Sequence, residues 1–311
     1  MESECHRIRL AWIGTGVMGH SMCQHLINAG YEVNVFSRTA SRSSDLVEQG
    51  ALWRGSPDEA ASDADVVFIL VGTPADVEDV VLSEHGVLKA MRKGSMLVDM
   101  TTSKPSLATK MYFAGDERGI DVLDAPVSGG DVGAENGELS TMVGGRPAAF
   151  ARAEPFLRVF SSRVTLQGGP GAGQHTKMAN QIAICSGMIG VCEALLYAYR
   201  AELDLDAALG TISAGAGSSW SLENYGPRLL VGDTTPGFKI DHFVKDLGIA
   251  LEEASRMDLI LPGLHLATEL YRRAQVAGLG DRGTHSLMTI LAEMSRIDWD
   301  RRDAAFFASP R

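Results

Sequence analysis

The N-terminal half of the chain alternates short apolar runs with segments whose apolar residues recur at helical spacing. The runs predict strands at residues 8–13, 33–36, 65–71, 96–100, 121–125, 139–143 and 163–166. The run at residues 65–71, DVVFILV, is apolar almost throughout, which is typical of a central strand covered on both faces. Helices are predicted between the strands, at residues 17–29, before Gly50, after Pro105 and after Pro147. This winding predicts an α/β domain built on a doubly wound parallel sheet with helices on both faces.

The pattern changes after a glycine-rich segment at residues 168–173. Beyond it only helical spacing recurs, and it predicts helices at residues 174–202, 206–214, 221–231, 240–257, 263–277 and 285–296. We therefore expect a sheet domain over residues 1–168 and an all-α domain over residues 169–311, joined by the long helix. A chain of 311 residues agrees with this division, at about 150 residues per domain.

The long helix contains an apolar stretch, residues 182–199, in which Glu193 is the single charge. Its uninterrupted apolar part is shorter than the ~20 residues needed to span a bilayer. We therefore expect no membrane span. The helix is expected to be buried on most sides within the protein or at a subunit interface, as in a homo-dimer or homo-tetramer. The N-terminal residues contain no apolar leader pattern, so the expected location is cytoplasmic.

Acidic residues outnumber basic ones, 39 against 28, and the formal net charge is −11. Nucleic acids and anionic membranes both require basic surfaces, so neither is the expected main partner. The cysteines, Cys5, Cys23, Cys185 and Cys192, form no CxxC pair and no cluster with histidine at metal-binding spacing. We expect no metal site, and we expect Cys185 and Cys192 to share one buried helix face.

A glycine motif, Gly14-x-Gly16-x-x-Gly19, stands between the first predicted strand and the first predicted helix. In a dinucleotide-binding domain the first glycine permits a tight turn, the second lets a pyrophosphate approach the backbone, and the third lets the helix pack on the strand. The helix N-terminus offers free N–H groups to the phosphates. The motif therefore predicts a Rossmann-type domain for a nicotinamide dinucleotide, with a purely structural turn as the alternative.

The end of the second strand bears on the choice of nicotinamide cofactor. An acidic residue there would bind the 2′-hydroxyl of NAD, but Glu32 begins the strand and so lies at the wrong end. The carboxyl end instead carries Ser37, Arg38 and Thr39, with Arg42 one turn further. Hydroxyl groups and a guanidinium suit a 2′-phosphate, so we expect NADP, with NAD as an alternative. A solvated basic helix start would give the same pattern.

The start of the long helix carries a second motif, Gly171-x-Gly173-x-x-x-Lys177-x-x-Asn180. Lys177 and Asn180 share a helix face because they are three residues apart. The positive end of the helix dipole, together with partial burial, favours the neutral amine that acid–base chemistry near pH 7 requires. Asn180 is placed to hold a substrate oxygen or to orient the lysine. An exposed cap residue is the alternative for Lys177.

Four sequence blocks in order carry a resemblance to a known family. They are Ile13-Gly-Thr-Gly-Val-Met-Gly19, Asp124-Ala-Pro-Val-Ser-Gly-Gly130, Gly171-Ala-Gly-Gln-His-Thr-Lys-Met-Ala-Asn180 and Lys245-Asp246-Leu247. Over residues 8–297 the sequence resembles the β-hydroxyacid dehydrogenase family. This group includes 3-hydroxyisobutyrate dehydrogenase, tartronate semialdehyde reductase and the glyoxylate/succinic semialdehyde reductases. A single block would be weak, but four at the expected separations make the resemblance specific.

The resemblance implies a role for each matching residue. Lys177 is implied as the catalytic acid and base, and Asn180 as a substrate-binding residue beside it. The turn Ser128-Gly129-Gly130 is implied to anchor a small carboxylate substrate, which its two glycines let the backbone approach closely. Phe238 is implied to close the pocket, and Asp246 to belong to the network at the catalytic end. With the residues argued above, the expected cofactor contacts are Gly14, Thr15, Gly16, Val17, Met18, Gly19, Ser37, Arg38, Thr39, Val71, Gly72, Thr101, Thr102 and Lys245.

The implied activity is an NADP(H)-dependent oxidoreductase that interconverts a small β-hydroxy acid and its semialdehyde. Reduction of a small aldehyde or keto acid, such as succinic semialdehyde or glyoxylate, is implied equally. Imine reductases share the architecture but typically replace the lysine, and a catalytically inactive dinucleotide-binding scaffold would also be expected to lose it. The helical domain of 6-phosphogluconate dehydrogenase is much larger than the one expected here. The identity of the acid stays open.

Overall fold

The computed structural model describes residues 8–301. Cys5 and the C-terminal residues, for which the sequence predicts fraying, lie outside the described range. The described backbone divides into two compact units, with the boundary between Lys177 and Met178. A single long helix, Ala172–Arg200, contributes to both units.

The first unit alternates strands and helices. Its strands are β1 (Arg9–Ile13), β2 (Glu32–Phe36), β3 (Leu52–Trp53), β4 (Val66–Ile69), β5 (Met96–Asp99), β6 (Asp121–Asp124), β7 (Val127–Ser128), β8 (Leu139–Gly144) and β9 (Ser161–Gly168). Its helices are α1 (Val17–Asn28), α2 (Ser44–Glu48), α3 (Pro57–Ala61), α4 (Pro74–Leu82), α5 (Val87–Ala90), α6 (Pro105–Asp116), α7 (Gly130–Asn136), α8 (Pro147–Leu157) and the start of α9 (Ala172–Arg200). The apolar pattern does not indicate β3 and β7, because two-residue strands are too short to show an alternation.

The strands form one sheet in the order β3-β2-β1-β4-β5-β6-β8-β7, and β9 pairs with β8. From β3 to β6 every neighbouring pair is parallel; Leu10 of β1, for example, lies opposite Val33 of β2 and Val66 of β4. Successive strands are added in one direction from β1 to β3 and in the opposite direction from β4 onward, so the order reverses between β1 and β4. Open α/β sheets bind ligands at such a reversal, in the crevice outside the carboxyl ends of the strands.

The expectation of a parallel sheet is correct for β1 to β6 and wrong at β8. This strand runs antiparallel to β6, where Asp124 faces Gly144, and antiparallel to β7. The connection from β7 to β8 contains only the short α7. A parallel pair needs a crossover of about a dozen residues or more, so a connection this short returns the chain in the antiparallel sense.

Both faces of the sheet are buried, as the doubly wound architecture requires. Leu10 and Trp12 of β1 point into one apolar cluster, whereas Ala11 and Ile13 point into another on the opposite face. Trp12 is fully buried and stacks on Phe68, with ring centroids 5.5 Å apart. Because both faces of the sheet are buried, successive residues of these strands are all apolar instead of alternating with polar ones.

The second unit continues α9 and adds α10 (Leu205–Ser213), α11 (Trp220–Leu230), α12 (Ile240–Arg256), α13 (Pro262–Val276) and α14 (Leu287–Met294). Each of these helices matches a predicted one to within a few residues. The described part of this unit contains no strand, apart from an isolated bridge between Lys239 and Gly283. Cys185 and Cys192 are buried in its apolar core, as predicted.

The helix α9 is long and apolar enough to cross a membrane by length and composition, a test that core helices of soluble proteins also pass. Only 39% of its most apolar window is buried. Within the single chain the helix is therefore not buried on most sides, and burial at a subunit interface, the other part of the expectation, stays a prediction. The exposed positions include Ala179, Ala183, Gly187 and Tyr197, so most of this face is formed by small residues.

Candidate active site

The glycine loop follows β1 and is shaped by contacts within the first unit. Gly14 has a φ of +103°, and its N–H donates to the Phe36 carbonyl at 2.9 Å. The indole N–H of Trp12 donates to the Gly14 carbonyl at 3.0 Å. A Cβ on Gly14 would overlap the Leu70 carbonyl, and a Cβ on Gly19 would overlap the Gly14 carbonyl. The backbone packing of the protein itself therefore requires glycine at these two positions.

Gly16 differs from the other two glycines of the motif. It precedes α1 with an extended backbone, and a Cβ there would meet no atom within 4 Å. The space over Gly16 is open, with Val17 exposed beside it and Met18 half-buried. Open backbone at a helix N-terminus fits the pyrophosphate of a dinucleotide. The Thr15 hydroxyl is engaged elsewhere, because it shares a buried hydrogen bond of 2.9 Å with the Ser43 hydroxyl.

The residues expected to select NADP follow β2 and are accessible. Ser37 is half-buried, whereas Arg38, Thr39 and Arg42 are exposed. The Arg38 guanidinium donates to Asp76 Oδ1 at 3.0 Å, and the arginine side chain is 79% exposed. An ion pair this exposed contributes little to stability, so the guanidinium is available to a phosphate.

The residues expected on the nicotinamide side lie at the carboxyl ends of two adjacent strands, β4 and β5. Val71 and Gly72 follow β4, and Thr101 and Thr102 follow β5. The Val71 N–H donates to Thr101 Oγ1 at 3.1 Å. Thr101 is buried, and the other three residues are half-buried. The structure therefore brings these two loops together beside the point where the winding reverses.

The turn Ser128-Gly129-Gly130 connects β7 to α7. Gly129 has a φ of +135° and Gly130 a φ of +67°, conformations that residues with side chains rarely adopt. A Cβ on Gly130 would meet no atom within 4 Å. Ser128 is half-buried and lies opposite Ser140 of β8. The turn therefore presents open backbone at Gly130, two residues after the Ser128 hydroxyl group.

Lys177 is buried, with only 7% of its surface exposed, so it is not an exposed cap residue. Its Nζ donates to the Val127 carbonyl at 2.9 Å. Val127 directly precedes Ser128 in the chain. The structure therefore brings the amine of α9 together with the turn expected to anchor a carboxylate.

Asp124, the last residue of β6, holds the start of α9. Its carboxylate accepts the N–H groups of Gly171 and Gln174, each at 2.8 Å. Burial raises the pKa of Asp124, and these backbone donors act in the opposite direction. A Cβ on Gly173 would lie 2.8 Å from Asp124 Oδ2. Glycine is therefore required at position 173, where the helix meets the end of β6.

In the second unit, four polar residues form a chain of contacts between α9 and α12. Asn180 donates to Gln181 Oε1 at 2.9 Å, and Gln181 donates to Asp246 Oδ2 at 2.6 Å. Lys245 Nζ lies 3.0 Å from Asp246 Oδ1. Gln181 and Asp246 are both buried, so the Lys245–Asp246 contact is not a surface ion pair. Phe238 is half-buried against the helical core.

Three residues that make contacts within their own units are not singled out by the sequence pattern: Asp124 and Gln174 in the first unit, and Gln181 in the second. Asp124 and Gln174 lie inside the blocks that carry the family resemblance, and this position is the signal by which the sequence could have indicated them. Their contacts join residues 47 to 73 positions apart, and no local pattern reports such contacts. Among residues 8–301, no group of three or more His, Cys, Asp or Glu side chains is arranged to hold a metal ion.

Two family models match the chain. The model described as the NAD binding domain of 6-phosphogluconate dehydrogenase matches residues 9–169. The model described as the NAD-binding region of NADP-dependent 3-hydroxyisobutyrate dehydrogenase matches residues 171–291. The chain belongs to the β-hydroxyacid dehydrogenase family. As a member of it, the protein is an NAD(P)-dependent dehydrogenase acting on a CH–OH group.

Individual members of the family are similar over nearly the whole chain. A probable 3-hydroxyisobutyrate dehydrogenase-like mitochondrial protein of Arabidopsis thaliana is 47% identical, with 95% of this chain and 89% of that protein covered. The 2-hydroxy-3-oxopropionate reductase of Escherichia coli is 36% identical, with coverages of 92% and 98%. The solved structure of Psf3 in complex with NADP+ and 2-OPP is 28% identical, with a TM-score of 0.86 and coverages of 91% and 99%.

Proposed function

We propose that this β-hydroxyacid dehydrogenase uses NADP(H) to interconvert a small β-hydroxy acid and its semialdehyde, with Lys177 as proton donor and acceptor. Reduction of a small aldehyde or keto acid, such as succinic semialdehyde or glyoxylate, belongs to the same proposal. The observation that carries it is the buried Lys177 amine, which is held on the Val127 carbonyl directly beside the Ser128 turn. A buried amine next to a turn that can anchor a carboxylate supplies both acid–base chemistry and substrate orientation.

Each residue near this amine has a proposed task. The Ser128 hydroxyl and the backbone of Gly129 and Gly130 hold the substrate carboxylate. Lys177 donates a proton to the carbonyl oxygen during reduction and accepts the hydroxyl proton during oxidation. Asn180, one turn along the same helix face, binds the substrate oxygen. The bound nicotinamide supplies or accepts the hydride.

The remaining residues have proposed roles in holding the cofactor and ordering the site. Arg38, with Ser37 and Thr39, binds the 2′-phosphate, which favours NADP over NAD. The open backbone at Gly16 and the loops containing Val71 and Thr101 hold the rest of the dinucleotide. In the helical unit, Lys245 contacts the cofactor, Asp246 orients Lys245, and Phe238 closes the substrate pocket. The other members of the proposed cofactor set are Gly14, Thr15, Val17, Met18, Gly19, Gly72 and Thr102.

The test combines a substrate panel with the Lys177→Ala variant. Small semialdehydes and hydroxy acids are assayed by NADPH absorbance, with NADH in parallel and a cyclic imine as the alternative substrate. We expect turnover of a semialdehyde, and a loss of about 100-fold or more in kcat for Lys177→Ala, because acid–base catalysis contributes about 10²–10⁴-fold. The Kd for NADPH should stay within about twofold. Full turnover by Lys177→Ala, or reduction of the imine alone, would contradict the proposal.

The assembly and the location are also proposals. The exposed face of α9, formed mostly of small residues, supports a homo-dimer or homo-tetramer, because such a face allows close helix packing. Sedimentation analysis of the full chain tests this assembly. For the location, we propose the cytoplasm.

A further inference from the structure

Gln174 is fully buried on the first turn of α9. Its Nε2 donates to the Thr101 carbonyl at 2.7 Å, and its Oε1 accepts the Ser103 N–H at 2.9 Å. One side-chain amide therefore satisfies both a backbone acceptor and a backbone donor of the loop after β5. Because the two bonds have opposite polarity, they fix the orientation of the amide as well as its position.

The loop that Gln174 binds lies among the proposed nicotinamide contacts. Thr101 Oγ1 also accepts the Val71 N–H at 3.1 Å, so the loop after β5 is joined to the loop after β4. On the other side, Gln174 is three residues before Lys177 and shares its helix face. The amide thus links the loops at the reactive side of the proposed cofactor site to the helix that carries the proposed proton donor.

We propose that Gln174 is a positioning residue, which sets the Lys177 amine relative to the loops that receive the nicotinamide. The proposal rests on the proposed function, because it assumes that Lys177 transfers the proton. Asp124 supports the same end of α9 through its bonds to Gly171 and Gln174. In the proposed reaction the nicotinamide and the Lys177 amine must lie at defined distances from one substrate carbonyl. The Gln174 amide directly links the loop after β5, among the proposed nicotinamide contacts, to α9, which carries Lys177.

The first test replaces Gln174 with methionine, which has a similar volume and cannot form either hydrogen bond. A displacement of about 1 Å can cost about 100-fold in rate, so we expect kcat to fall by about 10- to 100-fold. The Kd for NADPH should change by less than about threefold. The matched control is Gln275→Met on α13, which also removes a glutamine hydrogen bond, here a 2.7 Å bond to Asp241, and should leave kcat unchanged.

Two further measurements separate positioning from general damage. In a Lys177→Ala background, Gln174→Met should lower the residual rate by less than about twofold, because residues that act as one unit are non-additive. Without cofactor or substrate, Lys177 acetylation is followed by mass spectrometry, with the exposed Lys110 of the same chain as reference. Loss of the two Gln174 hydrogen bonds should increase labelling at Lys177 at least threefold in Gln174→Met. In Gln275→Met, labelling at Lys177 should be unchanged.

A second variant, Gln174→Glu, keeps the test decisive if Gln174→Met folds poorly. A protonated glutamic acid can donate to the Thr101 carbonyl and accept from the Ser103 N–H, whereas a carboxylate would repel the carbonyl oxygen. Burial raises the pKa of a glutamate, so the protonated form persists to higher pH than usual. The ratio of variant to wild-type kcat should therefore be highest at low pH and fall as the pH rises. For Gln174→Met the same ratio should not depend on pH.

The outcomes distinguish the two levels of the proposal. Full activity of Lys177→Ala overturns the proposed function. If Lys177→Ala is inactive but Gln174→Met retains wild-type kcat and wild-type labelling, the positioning role is overturned. It is also overturned if the rate losses of Gln174→Met and Lys177→Ala simply multiply, or if the Gln174→Glu ratio shows no dependence on pH.

Discussion

The glycine motif offers a prediction that separates cofactor binding from folding. Gly16 and Gly19 lie in the same loop, but an added methyl group meets different surroundings at the two positions. At Gly16 it would have no atom within 4 Å, and the backbone there has a φ of −71°, which alanine adopts without strain. At Gly19 it would overlap the Gly14 carbonyl and lie 3.3 Å from the Trp12 indole nitrogen. We therefore expect Gly16→Ala and Gly19→Ala to fail in different ways.

The expected magnitudes follow from these contacts. Gly16→Ala loses a few tenths of a kcal/mol or more at the N-cap and gains ~0.4–1 kcal/mol by restricting the unfolded chain, so its stability should stay within ~1 kcal/mol of wild type. If a pyrophosphate passes over Gly16, the methyl group should weaken NADPH binding by about 10- to 100-fold, or ~1.4–2.8 kcal/mol. Gly19→Ala must displace the loop, and overpacking of this kind costs ~1–3 kcal/mol of stability.

The assays are thermal unfolding with and without saturating NADPH, and fluorescence titration of NADPH. The protein without cofactor should unfold within ~2 °C of wild type for Gly16→Ala and about 4 °C or more lower for Gly19→Ala. NADPH should raise the Tm of wild type clearly and that of Gly16→Ala much less. If Gly16→Ala binds NADPH within twofold of wild type, the open space over Gly16 is not the pyrophosphate site and the argument from the loop geometry is refuted.

Two further predictions concern cofactor choice and pH. Arg38→Ala should raise the KM for NADPH by about 10-fold or more and the KM for NADH by less than twofold. Only NADPH carries the 2′-phosphate, which a charge-assisted hydrogen bond worth ~1.5–3 kcal/mol would hold. Arg158→Ala, at an exposed arginine, is the control, and an equal rise in KM for both cofactors would refute the assignment. His285 stacks on Tyr225, with ring centroids 4.7 Å apart, and burial lowers the pKa of His285. Below about pH 6.5 the unfolded chain therefore binds more protons than the folded chain, and the free energy of unfolding should fall as the pH drops through that value. Urea unfolding at several pH values should show that the free energy of unfolding falls less at low pH for His285→Gln than for wild type. Identical pH profiles would show that His285 does not contribute to the pH dependence of stability.

The sequence alone determined the longer elements of this protein and the candidate residues for its chemistry. Apolar runs and helical spacing are local properties, so they predicted each helix of the second unit and the longer strands, which are β1, β2, β4, β5, β6, β8 and β9. The glycine motif was equally readable, because Gly14 and Gly19 contact the backbone of their own βα unit and of the adjacent strand end. The family resemblance depended on short blocks whose residues lie close in sequence.

Only the tertiary structure decided how these pieces are joined. The antiparallel β8, the incomplete burial of the apolar window of α9, and the Arg38–Asp76 contact leave no local pattern in the sequence. The same holds for Gln174, Gln181 and Asp124, whose neighbours in the sequence do not reveal their hydrogen-bond partners. Local patterns record which face of an element is apolar, but a buried polar side chain is placed by partners that become its neighbours only when the chain has folded. For this reason the Lys177 motif could be found from the sequence, and the contacts that fix its amine could not.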